Sequence, residues 1–200
     1  MTLLYMSYTI IGGSLVPIPK IETPKHTEKE LMNLITNYLI DIEKFPTKNP
    51  FTKPSDNSRT NIYSDAMTGK NIDAFVLGKV KDYSKSQPVD SSITKKGTFD
   101  ELYKLLKQLV KIHNPRFKYT SIQINKSVET DWHFDKGNTG LSYCLALGDF
   151  EGGGVVVERG GKEFTYDNHK KWLLYDGHEL KHKSAKVKKG DRYAIIFFHK

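Results

Sequence analysis

The chain has a single cysteine, only two tryptophans, fewer acidic than basic side chains, and no apolar run near the length of a membrane span. With Cys144 alone, no intrachain disulfide can form, which excludes a disulfide-stapled scaffold. A reducing, intracellular compartment, the cytoplasm or a host nucleus, is expected. The N-terminus MTLLYMSYTIIGG is apolar. It lacks a basic leading region, alternates like a strand, and falls short of the roughly 20 residues of a span, so no targeting segment or membrane partner is expected. The shortage of acids leaves a formal net charge of +8. The excess is uneven, since residues 170–200 hold nine Lys or Arg against three Asp or Glu. Such a surface attracts phosphates, with DNA or RNA as partners and the lysines from Lys181 to Lys189 as contacts. A solvated lysine face explains the same charge.

What is present supports one soluble domain over 1–200, because 38% apolar and 27% charged residues allow a core without staples. Thr27 and Glu30 have capping-box spacing, and Leu31, Leu34, Ile35, Tyr38, Leu39 and Ile42 follow at helical intervals. This predicts a helix ending near Phe45-Pro46. Thr98 and Glu101 repeat the signature ahead of Leu102, Leu105, Leu106, Leu109 and Ile112, with Pro115 as a stop. Residues 46–62 and 83–97 read as loops around a short strand, Ala74 to Leu77. From Lys118 the pattern becomes short strands broken by Gly, Asn and Asp: YTSIQIN, GLSYCLALG, GGVVVE, EFTY, KWLLY and RYAIIFFH. That spacing predicts a mainly β sandwich or barrel with the helices outside it. Residues 1–117 then supply N-terminal strands, helices and loops, and 118–200 the core barrel. Gly152, Gly153 and Gly154 read as a hairpin-like reversal, because no helix follows them as a phosphate cradle requires.

Trp132-His133-Phe134-Asp135 places an imidazole and a carboxylate two positions apart, a spacing that on an extended chain projects both to one side. His182 follows 49 residues after His133 and can be folded onto the same point. Two histidines and one carboxylate with open opposite positions suit non-haem Fe(II). Ten residues beyond His182, Arg192 opens a strand that points back into the barrel. A buried guanidinium beside a metal needs an anion, and a dicarboxylic acid chelating the metal at its other end would supply one. That makes Arg192 the expected anchor for 2-oxoglutarate; an ion pair with Asp191 is the structural alternative. His178 rivals His182 but follows the turn signal Asp176-Gly177. His26, His113, His169 and His199 have no convergent partner and read as surface or capping residues.

The runs QINKSVETDWHFDKGNTGLSYCLALGDFEGGGVVVE and LLYDGHELKHKSAKVKKGDRYAIIFF resemble the Fe(II)/2-oxoglutarate-dependent dioxygenase superfamily. Within it they are closest to small viral, phage and algal members near the TET/JBP oxidases of 5-methylpyrimidines. The resemblance covers residues 118–198 well and 73–112 loosely. It implies a double-stranded β-helix (jelly-roll, cupin-like) barrel. It also implies His133, Asp135 and His182 as iron ligands, Arg192 on the distal carboxylate of 2-oxoglutarate, O2 as co-substrate and ascorbate as reductant. The short interval from His182 to Arg192 is closer to prolyl-hydroxylase-like members, so fold and cofactors transfer more safely than substrate.

In such a barrel Asn125 and Ser142 would point at the co-substrate, although a turn residue and a solvent-facing serine fit the same sequence. Tyr143, Leu145 and Leu147 alternate with Ser142, Cys144 and Ala146, so one set packs the core and the other lines the pocket. Trp132, Lys136 and Asn138 flank the ligand pair and are candidates for substrate contact, an exposed Trp beside lysines suiting a stacked base. A Trp covering the barrel rim is the plainer reading. Three functions fit: oxidation of a nucleic-acid base, hydroxylation of a prolyl or other protein side chain, and a non-catalytic nucleic-acid-binding module.

Overall fold

The computed structural model describes residues 8–11, 14–17, 26–48, 71–82 and 84–200, the first two segments as backbone only. The loop expected over 49–62 lies outside the described residues. Strands β1 (Tyr8–Ile11) and β2 (Ser14–Pro17) pair as an antiparallel hairpin, in keeping with the strand-like alternation at the N-terminus. Helix α1 (Glu28–Ile40) opens on the expected capping box: Thr27 accepts from the Glu30 amide, and Glu30 accepts from the Thr27 amide. It ends at Ile40, short of the expected Pro46. Strands β3 (Thr47–Lys48), β4 (Ile72–Val80) and β5 (Val89–Asp90) follow.

The expected loop over 83–97 instead contains β5 and a one-turn helix, α2 (Ser92–Lys96). Its caps were legible: the Ser91 hydroxyl accepts from the Thr94 amide, and Gly97 takes the left-handed conformation at φ 67°. Helix α3 (Asp100–His113) starts at Phe99 without a side-chain cap, so the second capping box does not form. Phe99 is buried, stacked on Phe75 at 4.8 Å, and that apolar contact fixes the helix start where a Thr98 cap would have placed it differently.

Strands β6 (Ser121–Lys126), β7 (Thr139–Gly152), β8 (Val155–Arg159), β9 (Lys162–Tyr166), β10 (Leu173–Tyr175), β11 (His182–Ser184) and β12 (Val187–His199) complete the chain. The major sheet runs β10-β7-β12-β6-β4-β3, with β5 on β4; the minor sheet runs β11-β8-β9, and every pairing is antiparallel. An isolated bridge between His133 and His182 extends the minor sheet by the 130–133 segment. The glycine run at 152–154 is therefore a corner and not a hairpin: β7 belongs to one sheet and β8 to the other, and positive φ at Gly152 and Gly153 turns the chain between them.

Strand alternation sorts the major sheet into two faces. Leu145, Leu147, Ile122, Ile124, Tyr193, Ile195 and Phe197 join Leu31, Ile35 and Leu39 of α1 and Leu102, Leu106 and Leu109 of α3 in one buried cluster. The helices thus cover the outer face, as expected. On the inner face Cys144 packs with Val155 and Val157 of the minor sheet and with Tyr175. This settles the alternation on β7: the leucines pack the helices, and Ser142, Cys144 and Ala146 face the space between the sheets.

Candidate metal centre

The three expected ligands come from two adjacent segments of the minor sheet. His133 and His182 exchange both backbone hydrogen bonds, at 2.9 and 3.0 Å, so their side chains leave the same face. Asp135, two residues on, is held by its amide donating to the Gly177 carbonyl at 2.7 Å. One ligand atom from each of His133, Asp135 and His182 lies within 4.8 Å of the others. The Nε2 of His133 stands 3.8 Å from Asp135 Oδ1, and that of His182 3.6 Å from Asp135 Oδ2. Behind the rings, His133 Nδ1 meets the Asp131 carbonyl at 2.7 Å and His182 Nδ1 the Leu180 carbonyl at 2.8 Å. A carbonyl only accepts, so each Nδ1 carries the proton and each Nε2 lone pair turns to the centre, the arrangement metal-binding histidines need. Burial opposes charge on His182, but the hydrogen bond it donates to the Asp135 carboxylate and that carboxylate's negative charge outweigh it and raise the imidazole pKa above its ordinary value. The donor set of two imidazoles and one carboxylate fits Fe(II).

Of the two rival histidines, the fold gathers His182. His178 lies outside the group, its Nδ1 3.1 Å from the Asn138 carbonyl. Gly177 passes so close that a Cβ there would stand 3.0 Å from Asp135 Oδ2 and 3.3 Å from His182 Cε1.

Deeper in the same space lies Arg192, 1% exposed. Its partner is not Asp191, which pairs with Lys126 at 2.9 Å on the opposite side of the strand. One Nη2 hydrogen donates to Asn168 Oδ1 at 3.2 Å. Among the described residues, its buried Nε and the buried hydroxyl of Ser142 have no hydrogen-bond partner. Two orphaned polar groups on the inner face of one sheet are costly unless they serve a ligand, and a guanidinium fits a carboxylate; Ser142 lies six residues along β7 from Gly148, the residue opposite Arg192. Gly153 leaves room for the guanidinium stem, since a Cβ would meet Arg192 Cδ at 2.7 Å. Asn125 faces the same interior, opposite Ala194 and Ala74, and accepts from Gln123 Nε2 at 2.7 Å.

The flanking residues divide. Trp132 alternates with His133 and so takes the outer face, where Lys183 lies 4.3 Å and Lys181 5.6 Å from its ring centre. This is the rim-covering arrangement. Lys181 pairs with Glu158 at 3.1 Å, Lys183 with Glu163 at 3.4 Å and Lys189 with Glu151 at 3.8 Å, so acids already offset three of the lysines expected to meet phosphate. Lys136 donates to the His178 carbonyl at 3.2 Å and sits over the exposed ring of Phe134. Asn138 Nδ2 reaches Asp135 Oδ2 at 3.4 Å and steadies that carboxylate. His169 reaches the Gly148 carbonyl at 3.0 Å, while His113 stacks on Trp172 at 4.4 Å; neither is a plain surface residue.

Three residues escaped the sequence reading. Asn168 is buried and bridges Arg192 to Cys144, whose thiol burial pushes up to about 11 and so keeps protonated. Tyr175 is buried with its ring edge-on to His182 at 5.1 Å, and burial raises its hydroxyl pKa well above the ordinary value. Phe164 stands opposite Val157, which stands opposite His182, so an aromatic ring 44% exposed shares the ligand face. Its alternation within EFTY was visible, but which face of β9 turned inward was not.

No protein-family profile matches the chain, and no curated protein is similar to it in sequence. Solved structures are similar in fold. One is NgTET1 in complex with 5mC DNA, at TM-score 0.55 and 16% identity, covering 86% of this chain and 68% of that one. Another is an oxidoreductase of the 2OG-Fe(II) oxygenase family from Burkholderia pseudomallei, at TM-score 0.50 and 15% identity, covering 85% and 77%. A Pseudomonas putida prolyl-4-hydroxylase follows at TM-score 0.44 and 12% identity, covering 90% of both chains. The fold is that of the 2OG-Fe(II) oxygenases. The jelly-roll architecture expected from the sequence resemblance is thus the observed one.

Proposed function

We propose that this chain is an Fe(II)- and 2-oxoglutarate-dependent dioxygenase that hydroxylates a C–H bond, with a nucleic-acid base such as a 5-methylpyrimidine as substrate. The observation that carries it is the presence of two features on facing sheets: the His133, Asp135, His182 group, and the buried Arg192 whose Nε has no partner among the described residues. His133, Asp135 and His182 would hold the iron on one side, leaving the other side for co-substrate, O2 and substrate. Arg192, steadied by Asn168, would take the distal carboxylate of 2-oxoglutarate, with Ser142 as a second donor and Asn125 on the same face. Iron and 2-oxoglutarate, when bound, would supply oxidative decarboxylation to succinate and CO2, with one atom of O2 going to succinate and the other to the substrate C–H bond. The chain's own residues bind and orient. Val155, Val157 and Tyr175 exclude water, and no acid–base pair is required of the protein.

The nucleic-acid reading rests on the fold shared with a 5mC-DNA complex and on the basic surface. Phe164, Lys136 and Asn138 border the ligand face as substrate-side residues, while Trp132 supports the rim from outside. The ten-residue interval from His182 to Arg192 favours a protein-hydroxylase reading as the second choice. Mass spectrometry of 5-methylcytosine-containing DNA, of RNA and of prolyl peptides after incubation with Fe(II), ascorbate and 2-oxoglutarate decides between them. One added oxygen on a nucleobase supports the first reading; one on a peptide alone replaces it with the second.

A further inference from the structure

Two clefts of about 460 and 250 Å3 meet at Asn114 and Phe117, where α3 ends and β7 begins. Their walls carry Lys107, Lys111, Arg116, Lys118 and His199, and no acidic residue. Among the described residues none of these five forms an ion pair, in contrast to Lys181 and Lys183 on the minor sheet. A lysine in a last helical turn complements the helix dipole, which accounts for Lys111; Arg116 and Lys118 lie beyond the helix. Four unneutralised cations, Lys107, Lys111, Arg116 and Lys118, along one groove make a positive track that a polyanion fits. The floor is apolar, with Phe117 at the junction and Leu141 48% exposed. An aromatic floor between cationic walls is the combination that binds nucleic-acid strands, whose bases stack while phosphates pair.

The groove ends one residue along the chain from a neighbour of the His133, Asp135, His182 group. Thr139 and Gly140 line it, and the preceding residue, Asn138, touches the Asp135 carboxylate. We propose that this groove holds the phosphate backbone of a nucleic-acid strand and delivers the adjoining base to the site between the sheets. The proposal rests on the nucleic-acid reading of function and moves the expected phosphate contacts from Lys181–Lys189 to Lys111, Arg116 and Lys118.

The test is fluorescence anisotropy of a fluorescein-labelled single-stranded oligonucleotide across a salt series. Three proteins are compared: wild type, the triple variant Lys111→Gln/Arg116→Gln/Lys118→Gln, and the double variant Lys181→Gln/Lys183→Gln. The triple variant is expected to bind roughly tenfold or more weakly at low salt, with a log–log salt slope lower by about 2. Its Co(II) affinity and Tm should match wild type, which separates a lost contact from a lost fold. Wild-type affinity in both variants, or a loss confined to the double variant, overturns the groove while leaving the nucleic-acid reading standing. Absence of wild-type binding at low salt defeats the reading itself, and the groove with it. Polyglutamate displacing the oligonucleotide as well as unlabelled DNA does would show that the partner class is wrong.

Discussion

At the scale of single residues, the centre depends as much on a missing side chain as on those present. Gly177 gives its carbonyl to the Asp135 amide and leaves its Cβ position open beside Asp135 and His182. Gly177→Ala should therefore weaken Co(II) binding, read by calorimetry, with less effect on Tm than on metal affinity, because the side chains it would crowd are Asp135, His182 and the Tyr175 ring. Arg192→Lys should weaken 2-oxoglutarate by about 1–3 kcal/mol and leave the metal nearly untouched, since lysine keeps the charge but loses the planar fork. Equal loss of both would place Arg192 outside the co-substrate pocket. The raised pKa of His182 gives a pH signature. A raised folded-state value stabilises the metal-free chain below about pH 6.5, the unfolded value, and that contribution is lost as pH rises through the folded one. Metal-free Tm should thus lose a contribution as pH rises above about 6.5, and Asp135→Asn should abolish that loss. Metal affinity should rise over the same interval, because a ligand imidazole must be neutral.

The elements show which sequence signals decide structure and which are overruled. The α1 capping box formed because nothing competed with it; the Thr98 box failed because burying Phe99 against Phe75 outweighs one exposed capping bond. The strands of the barrel were legible from their alternation, but the pairing of β7 with β12 and of β8 with β11 joins segments far apart in sequence, so the 152–154 corner read as a hairpin. Spacing and the family resemblance together singled out His133, Asp135 and His182, which the fold brings together, whereas Asn168 and Tyr175 were not singled out: their placement comes from long-range register and burial. The helices bear on stability more than on chemistry. Leu106→Ala, in the fully buried contact between α3 and the sheet, should cost about 2–5 kcal/mol in denaturant unfolding. A cost under 1 kcal/mol would mean that α3 does not form part of the core.

For the molecule as a whole, two sheets of unequal size divide the work. The major sheet, backed by α1 and α3, presents Arg192, Ser142 and Asn125 on its inner face, and the minor sheet brings His133 and His182 to face them. Neither sheet alone holds a complete site, and among the described residues no helix is long and apolar enough to cross a membrane. The most direct test of this account is an anaerobic titration of 2-oxoglutarate into the Fe(II)-loaded chain, followed by its visible metal-to-ligand charge-transfer absorption. The wild type should develop the band at a 1:1 ratio. Asp135→Ala and His182→Ala should lose it with the metal, and Arg192→Lys should require much more 2-oxoglutarate. An undiminished band in Asp135→Ala, or none in the wild type, would contradict the assignment of a 2-oxoglutarate-dependent iron centre to the space between the sheets.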